Sequence, residues 1–201
     1  MARVNNVLYL TDDIIYLKNK NRKDIIKYNI NKNIIIEGKI ANIDKFIKTY
    51  EKLLNENNLN NNLFGDTIKI IIRPNYTFAD ISLLKTVFEK FNYRKITIDN
   101  ETKYYKLNNS NAYLNIFNNY IILTYIDEYK KTNSFVIPGN YFNNNTDTFK
   151  YIKSKIANKD IYIIGKGEVM NEVFSLFESI YQNKTYIYSN HETYLLDNSK
   201  Y

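Results

Sequence analysis

The sequence predicts an α/β protein with two mixed sheets flanked by helices, in which the element order β-β-β-α-β-α-β occurs twice. Three observations predict it. Short runs rich in β-branched residues, such as Ile68–Ile72 and Ile161–Ile164, have the length and composition of buried strands. Segments between such runs carry apolar residues at helical spacing. The stretch Ile68–Asp99 sets strand, helix and strand in succession, which is the crossover unit of a parallel sheet.

Val7–Leu10 and Ile14–Leu17 read as two strands around the turn Thr11-Asp12-Asp13, and Asp24–Ile30 as a third strand. Ile34–Ile36, Glu37-Gly38 and Ile40 form a brief extended segment with a glycine turn. Ile43, Phe46, Ile47, Tyr50, Leu53 and Leu54 line one face of a helix that Asn42 is placed to cap. After the polar linker Asn55–Asp66, the strand Ile68–Ile72 is stopped by Pro74. Thr77 and Asp80 have capping-box spacing at the head of a helix whose inner face holds Ile81, Leu84, Val87, Phe88 and Phe91. Ile96–Ile98 is the next strand. The order then repeats. Tyr113–Phe117, Tyr120–Ile126 and Ser134–Ile137 are strands, and a helix carries Phe149, Ile152 and Ile156. Ile161–Ile164 is a strand, Gly165-Lys166-Gly167 opens a helix with Val169, Val173, Phe174 and Phe177 inside, and Thr185–Tyr188 closes the half. The expected halves are residues 1–106 and 107–201, the second ending in a polar tail that holds His191.

With 201 residues and 44% hydrophobic composition, the chain can bury a core. No apolar run approaches the ~20 residues of a membrane span. No signal-peptide pattern opens the chain, and it contains no cysteine, so disulfide and thiolate chemistry are excluded. A cytoplasmic location is the expectation, with any membrane association made through a partner. The net charge of +7 raises a nucleic-acid reading. The basic residues are spread along the chain without forming a block, however, and the Lys, Asn, Ile and Tyr enrichment is what AT-rich codons favour. The 20 tyrosines suit protein interfaces, since each joins apolar area to a polar tip.

Four stretches, in order, resemble the bacterial actin-like superfamily, that is MreB with its relatives FtsA and PilM. Ile35–Leu54, IIEGKIANIDKFIKTYEKLL, is similar to its glycine turn and following helix. Ile68–Glu101 is similar to the strand-helix-strand passage that ends on Ile and an acid. Phe135–Phe142, FVIPGNYF, resembles the turn before a later helix, and Ile161–Asn171, IYIIGKGEVMN, resembles the adenosine loop. The resemblance implies an actin-like, ribonuclease H-like duplicated core. Only short segments stand where the family carries its peripheral subdomains, so the chain reads as a reduced and degenerate member.

The departures bear on function. The family's first phosphate loop, Asp-x-Gly-Thr, corresponds to Leu10-Thr11-Asp12-Asp13, and the second to Asn115-Ile116-Phe117-Asn118-Asn119. Neither contains glycine, whose missing side chain lets backbone N–H groups close on a phosphate. Asn115 also lacks the carboxylate that would help to hold Mg²⁺. Gly165, Lys166, Gly167 and Glu168 keep the look of a vestigial adenosine loop, although a plain tight turn accounts for them more simply. Asp12, Asp13, Asp99, Glu101 and Asp127 are the carboxylates that a metal-dependent nuclease would have to converge, and a hairpin turn and a strand end explain them more plainly. No nucleophile stands in a triad setting with His191. The expectation is a pseudo-ATPase without catalytic residues, cofactor or metal, a structural or adaptor protein of a bacterial cell-shape, division or pilus system that works by self-association or protein partners. The alternatives are an ATPase that keeps ATP and Mg²⁺, and a basic nucleic-acid-binding module.

Overall fold

The computed structural model describes residues 5–59, 65–117, 120–138, 152–156, 158–165, 185–187 and 191–198. The chain divides into two units, Met1–Tyr104 with Glu192–Tyr201, and Tyr105–His191.

In the first unit β1 (Asn6–Leu10), β2 (Ile14–Asn19) and β3 (Ile26–Asn29) form an antiparallel meander. A small hairpin of β4 (Ile35–Ile36) and β5 (Lys39–Ile40) leads into α1 (Ile43–Glu56). Then come β6 (Thr67–Ile72), α2 (Phe78–Glu89) and β7 (Lys95–Asn100). The sheet order is β3-β2-β1-β6-β7, with β1, β6 and β7 mutually parallel. Both expected caps form. The Asn42 side chain accepts from Lys45 N at 3.0 Å, and Thr77 and Asp80 complete a reciprocal capping box.

Strand alternation sorts this sheet into two faces. Leu8, Leu10, Ile15, Leu17, Ile68, Ile70 and Ile72 pack against Phe46, Tyr50 and Leu53 of α1 and Leu84, Val87 and Phe88 of α2. The rings of Phe46, Tyr50 and Phe88 meet at centroid distances of 5.2–5.9 Å, and each is wholly removed from solvent. Burial of each such side chain contributes about 1.5–3 kcal/mol. Val7, Tyr9, Tyr16 and Ile71 form the opposite face, and Leu195 and Leu196 cover them. These leucines belong to α3 (His191–Asn198), so the segment read as a polar tail is a helix that closes the first sheet, with Asp197 ion-paired to Lys18. The eight-residue string HETYLLDN carries too few apolar positions to declare a helical period.

The second unit repeats the sheet plan. β8 (Asn111–Ile116), β9 (Tyr120–Ile126) and β10 (Thr132–Pro138) are antiparallel neighbours, while β11 (Asp160–Ile164) and β12 (Thr185–Ile187) run parallel to β8 in the order β10-β9-β8-β11-β12. Residues 152–156 are helical and bury Ile152 and Ile156 against Ala112, Leu114, Leu123, Ile161 and Ile163. The helix expected after Gly165 lies outside the described residues. Two five-stranded mixed sheets with flanking helices are thus the architecture the sequence predicts. Between β3 and α1 the chain holds only residues 30–42, which include the small β4–β5 hairpin. No described helix is long and apolar enough to cross a membrane.

Candidate functional site

Ligands of open α/β sheets bind beyond the carboxyl ends of the strands, where neighbouring connections diverge. In the first sheet that point is the end of β1, whose partners are a hairpin strand on one side and a crossover strand on the other. Three segments leave the sheet there: the turn Thr11–Asp13 after β1, Arg73 after β6, and Glu101 after β7.

The turn is closed by its own first residue. Thr11 N donates to Ile14 O at 3.0 Å, and Ile14 N donates to the Thr11 hydroxyl at 3.1 Å. Asp12 points across to the β4–β5 hairpin, where its Oδ1 accepts from Gly38 N at 2.9 Å. Gly38 sits at φ +79°, and a Cβ there would lie 3.0 Å from Arg73 Cδ and 3.2 Å from Leu10 O. Both the conformation and the close approach therefore demand glycine. The Tyr76 hydroxyl donates to Gly38 O at 2.5 Å, and Asn75 Nδ2 donates to Glu37 O at 3.1 Å. The small hairpin is consequently stitched to the ends of both β1 and β6.

Behind this stitch lies a buried polar chain. Arg73 Nε donates to the Tyr9 hydroxyl at 3.3 Å, and that hydroxyl donates to Glu101 Oε2 at 2.7 Å. Glu101 has no solvent exposure. The guanidinium also lies 5.8 Å from the Tyr9 ring centre and 4.0 Å from Asp12 Oδ1. Burial first, and then the Glu101 charge, push the Tyr9 phenol well above its ordinary value. Burial works against the Arg73 charge, but Tyr9 and Glu101 outweigh it, and its pKa stays above the ordinary one. Tyr9 remains a neutral donor that links a fixed cation to a buried acid.

The other carboxylates are engaged separately. The Asp13 carboxylate lies 3.0 Å from the Thr11 hydroxyl. Asp99 accepts from Lys103 and Tyr104; burial opposes its charge, yet these two partners hold it below the usual carboxylate range. Asp127 folds the β9–β10 turn by accepting from Tyr129 N and Lys131 N, each at 2.9 Å. Among the described residues no three metal-binding side chains converge. The nuclease-like set read from the sequence is thus dispersed over three local structures.

In the second unit Asn115 lies within β8, and its Nδ2 donates to the Tyr105 hydroxyl at 2.8 Å. Phe117 is buried and stacks on Tyr120 at 4.8 Å, with Phe117 N donating to Tyr120 O. His191, expected in a polar tail, is buried and packs on Tyr105. Gly165 follows β11 directly, and a Cβ on it would stand 3.0 Å from Ile116 Cβ. Lys166, Gly167 and Glu168 lie outside the described residues. Gly38 stands in the glycine turn that the sequence shows, but the sequence singles out neither Tyr9 nor Arg73. The one available signal is a cation placed between the apolar run of β6 and Pro74, at the carboxyl end of a buried strand.

The geometry at the end of β1 suits tethering better than phosphate binding. The turn presents the half-exposed carboxylate of Asp12, and the Gly38 N–H is already taken by it. Two N–H groups of the kind a phosphate would need, those of Thr11 and Gly38, are already engaged within the protein.

No protein-family model matches the chain, and no curated protein matches it in sequence. Solved structures do match. MreB5 of Spiroplasma citri bound to AMPPNP superposes with a TM-score of 0.63 at 10% identity, covering 96% of this chain and 94% of the other. The ethanolamine utilization protein EutJ from Carboxydothermus hydrogenoformans gives 0.60 at 11% identity, with coverage of 96% and 87%. A protein of unknown function with an actin-like ATPase fold from Bacteroides thetaiotaomicron gives 0.52 at 10% identity, with coverage of 96% and 95%. The chain has the actin-like fold.

Proposed function

We propose that this actin-like chain is a non-catalytic structural or adaptor protein of a bacterial cell-shape, division or pilus system, acting through protein contacts after loss of ATP hydrolysis. The observation that carries the reading is Asp12. Its carboxylate, in a turn that has no glycine, is committed to Gly38 N and the neighbourhood of Arg73. A fold alone does not specify chemistry, which resides in the site placed on it. Here Asp12, Tyr9, Arg73 and Glu101 engage one another or the neighbouring hairpin and brace three strand ends. Each of the two halves, expected at 1–106 and 107–201, would then display its own binding surfaces. A cytoplasmic location, with membranes reached through a partner, accords with this role.

Titration with ATP and Mg²⁺ by calorimetry, with thermal unfolding alongside, tests the reading. The expected outcome is no heat of binding and no shift in melting temperature. Micromolar binding that requires Mg²⁺ would overturn it.

A second reading, an ATPase that retains nucleotide binding, is favoured by the likeness to MreB5 structures bound to AMPPNP and to ADP. It assigns the adenosine contact to Gly165, Lys166, Gly167 and Glu168. On that reading Gly167→Val abolishes a measurable affinity.

A further inference from the structure

On the second sheet, the face opposite the isoleucine-rich core carries a row of tyrosines. Tyr113 of β8, Tyr162 of β11 and Tyr186 of β12 are in direct register across the parallel strands. Tyr105 extends the row before Tyr113. Successive ring centres are 4.3, 5.1 and 5.2 Å apart, and their planes lie within 13–21° of parallel. Neighbouring strands are spaced about 4.8 Å apart, so the stack repeats with the sheet itself. Tyr105 and Tyr113 are buried, whereas Tyr186 is 38% exposed. It is the last ring of the row among the described residues, and β12 is the outermost strand of its sheet.

The next position in the stack therefore coincides with the next position in the sheet. Only a strand hydrogen-bonded to the outer edge of β12, with an aromatic residue in register, occupies both. We propose that the occupant is a second copy of this chain, with β12 paired antiparallel to β12 about a two-fold axis and Tyr186 stacked on its own symmetry mate. A two-fold contact is self-complementary, and the residue required of the partner is the one this chain already holds at that position. Directly opposed residues of an antiparallel pair share a face, with Cβ atoms about 4.5–5.5 Å apart, which is stacking range. β12 reads Thr-Tyr-Ile, so the pairing opposes no like charges within the strand despite the chain's net charge of +7. The contact closes at two copies and joins the two sheets into one. It goes beyond the scaffold reading and does not depend on it, because it is argued from the β12 edge alone.

The test uses the full chain. Sedimentation equilibrium from micromolar to millimolar concentration is expected to show a monomer–dimer equilibrium that Tyr186→Phe preserves and Tyr186→Lys abolishes. The monomer's near-ultraviolet circular dichroism should survive both changes. Because the chain has no cysteine, engineered thiols report the register directly. Pairing centred on Tyr186 sets residue 185 of one copy opposite residue 187 of the other. A mixture of Thr185→Cys and Ile187→Cys proteins is then expected to crosslink under mild oxidant, whereas each alone does not. A strict monomer, or a dimer indifferent to Tyr186→Lys, overturns the proposal. So does equal crosslinking of the mixed and single variants, or crosslinking of neither. Larger assemblies that persist in Tyr186→Lys would place self-association on another surface and leave the scaffold reading intact.

Discussion

Tyr9→Phe removes one oxygen atom and leaves the ring in place, so it isolates the polar chain at the end of β1. That oxygen donates at 2.7 Å to a carboxylate with no solvent exposure and accepts at 3.3 Å from Arg73. A hydrogen bond to a charged group contributes about 1.5–3 kcal/mol, and complete burial of Glu101 puts this one at the upper end. The longer Arg73 contact adds under about 1 kcal/mol, giving a total near 3 kcal/mol, or roughly 6–12 °C in melting temperature for a chain of this length. The chain has no tryptophan, so urea unfolding would be followed by tyrosine emission and circular dichroism. Arg73→Met and the double variant complete a cycle, in which a coupling of at least about 1 kcal/mol is expected because both residues act through the same phenol. A Tyr9→Phe loss below about 0.5 kcal/mol, or strict additivity, would refute the idea that these groups form one network.

Three further outcomes follow from the same structure. Gly38→Ala places a Cβ at φ +79° against Leu10 O and Arg73, and should cost roughly 2 kcal/mol in urea unfolding; no loss would mean the hairpin is not held against β1. Leu196→Ala, at a position with no exposure, should cost about 2–3 kcal/mol, the lower part of the usual range because α3 is short; a negligible effect would show that α3 does not seal the first sheet. Stability should fall on the alkaline side. Burial raises Tyr9 and Tyr50 well above 10 and Tyr93 to about 12. The unfolded chain loses these protons near pH 10 while the folded one keeps them, so their contribution is complete below pH 10 and declines above it, by about 1.4 kcal/mol per pH unit for each such tyrosine. Melts combined with phenolate absorbance between about pH 9 and 12 would show whether ionisation and unfolding coincide; early ionisation in the folded protein would contradict the burial.

What the sequence determined by itself is the local pattern. The β-branched run Ile68–Ile72, helical spacing from Ile43 to Leu54, and the Thr77–Asp80 box are near-neighbour features, and each reappears with its boundaries displaced by a few residues at most. Their repeated order was enough to imply two mixed sheets of the actin-like kind. The lack of glycine in the turn at Thr11–Asp13 was legible too, because it concerns consecutive residues. The candidate site itself was not. Tyr9, Arg73 and Glu101 are separated by 64 and 92 positions and meet only because β1, β6 and β7 are parallel neighbours that end on one side. Likewise, Lys18 finds Asp197 from 179 residues away, and Tyr113, Tyr162 and Tyr186 become a stack only through strand register. Periodicity records which side of an element is apolar, whereas strand order and register decide which polar groups face one another, and these are set by the packing of the whole unit.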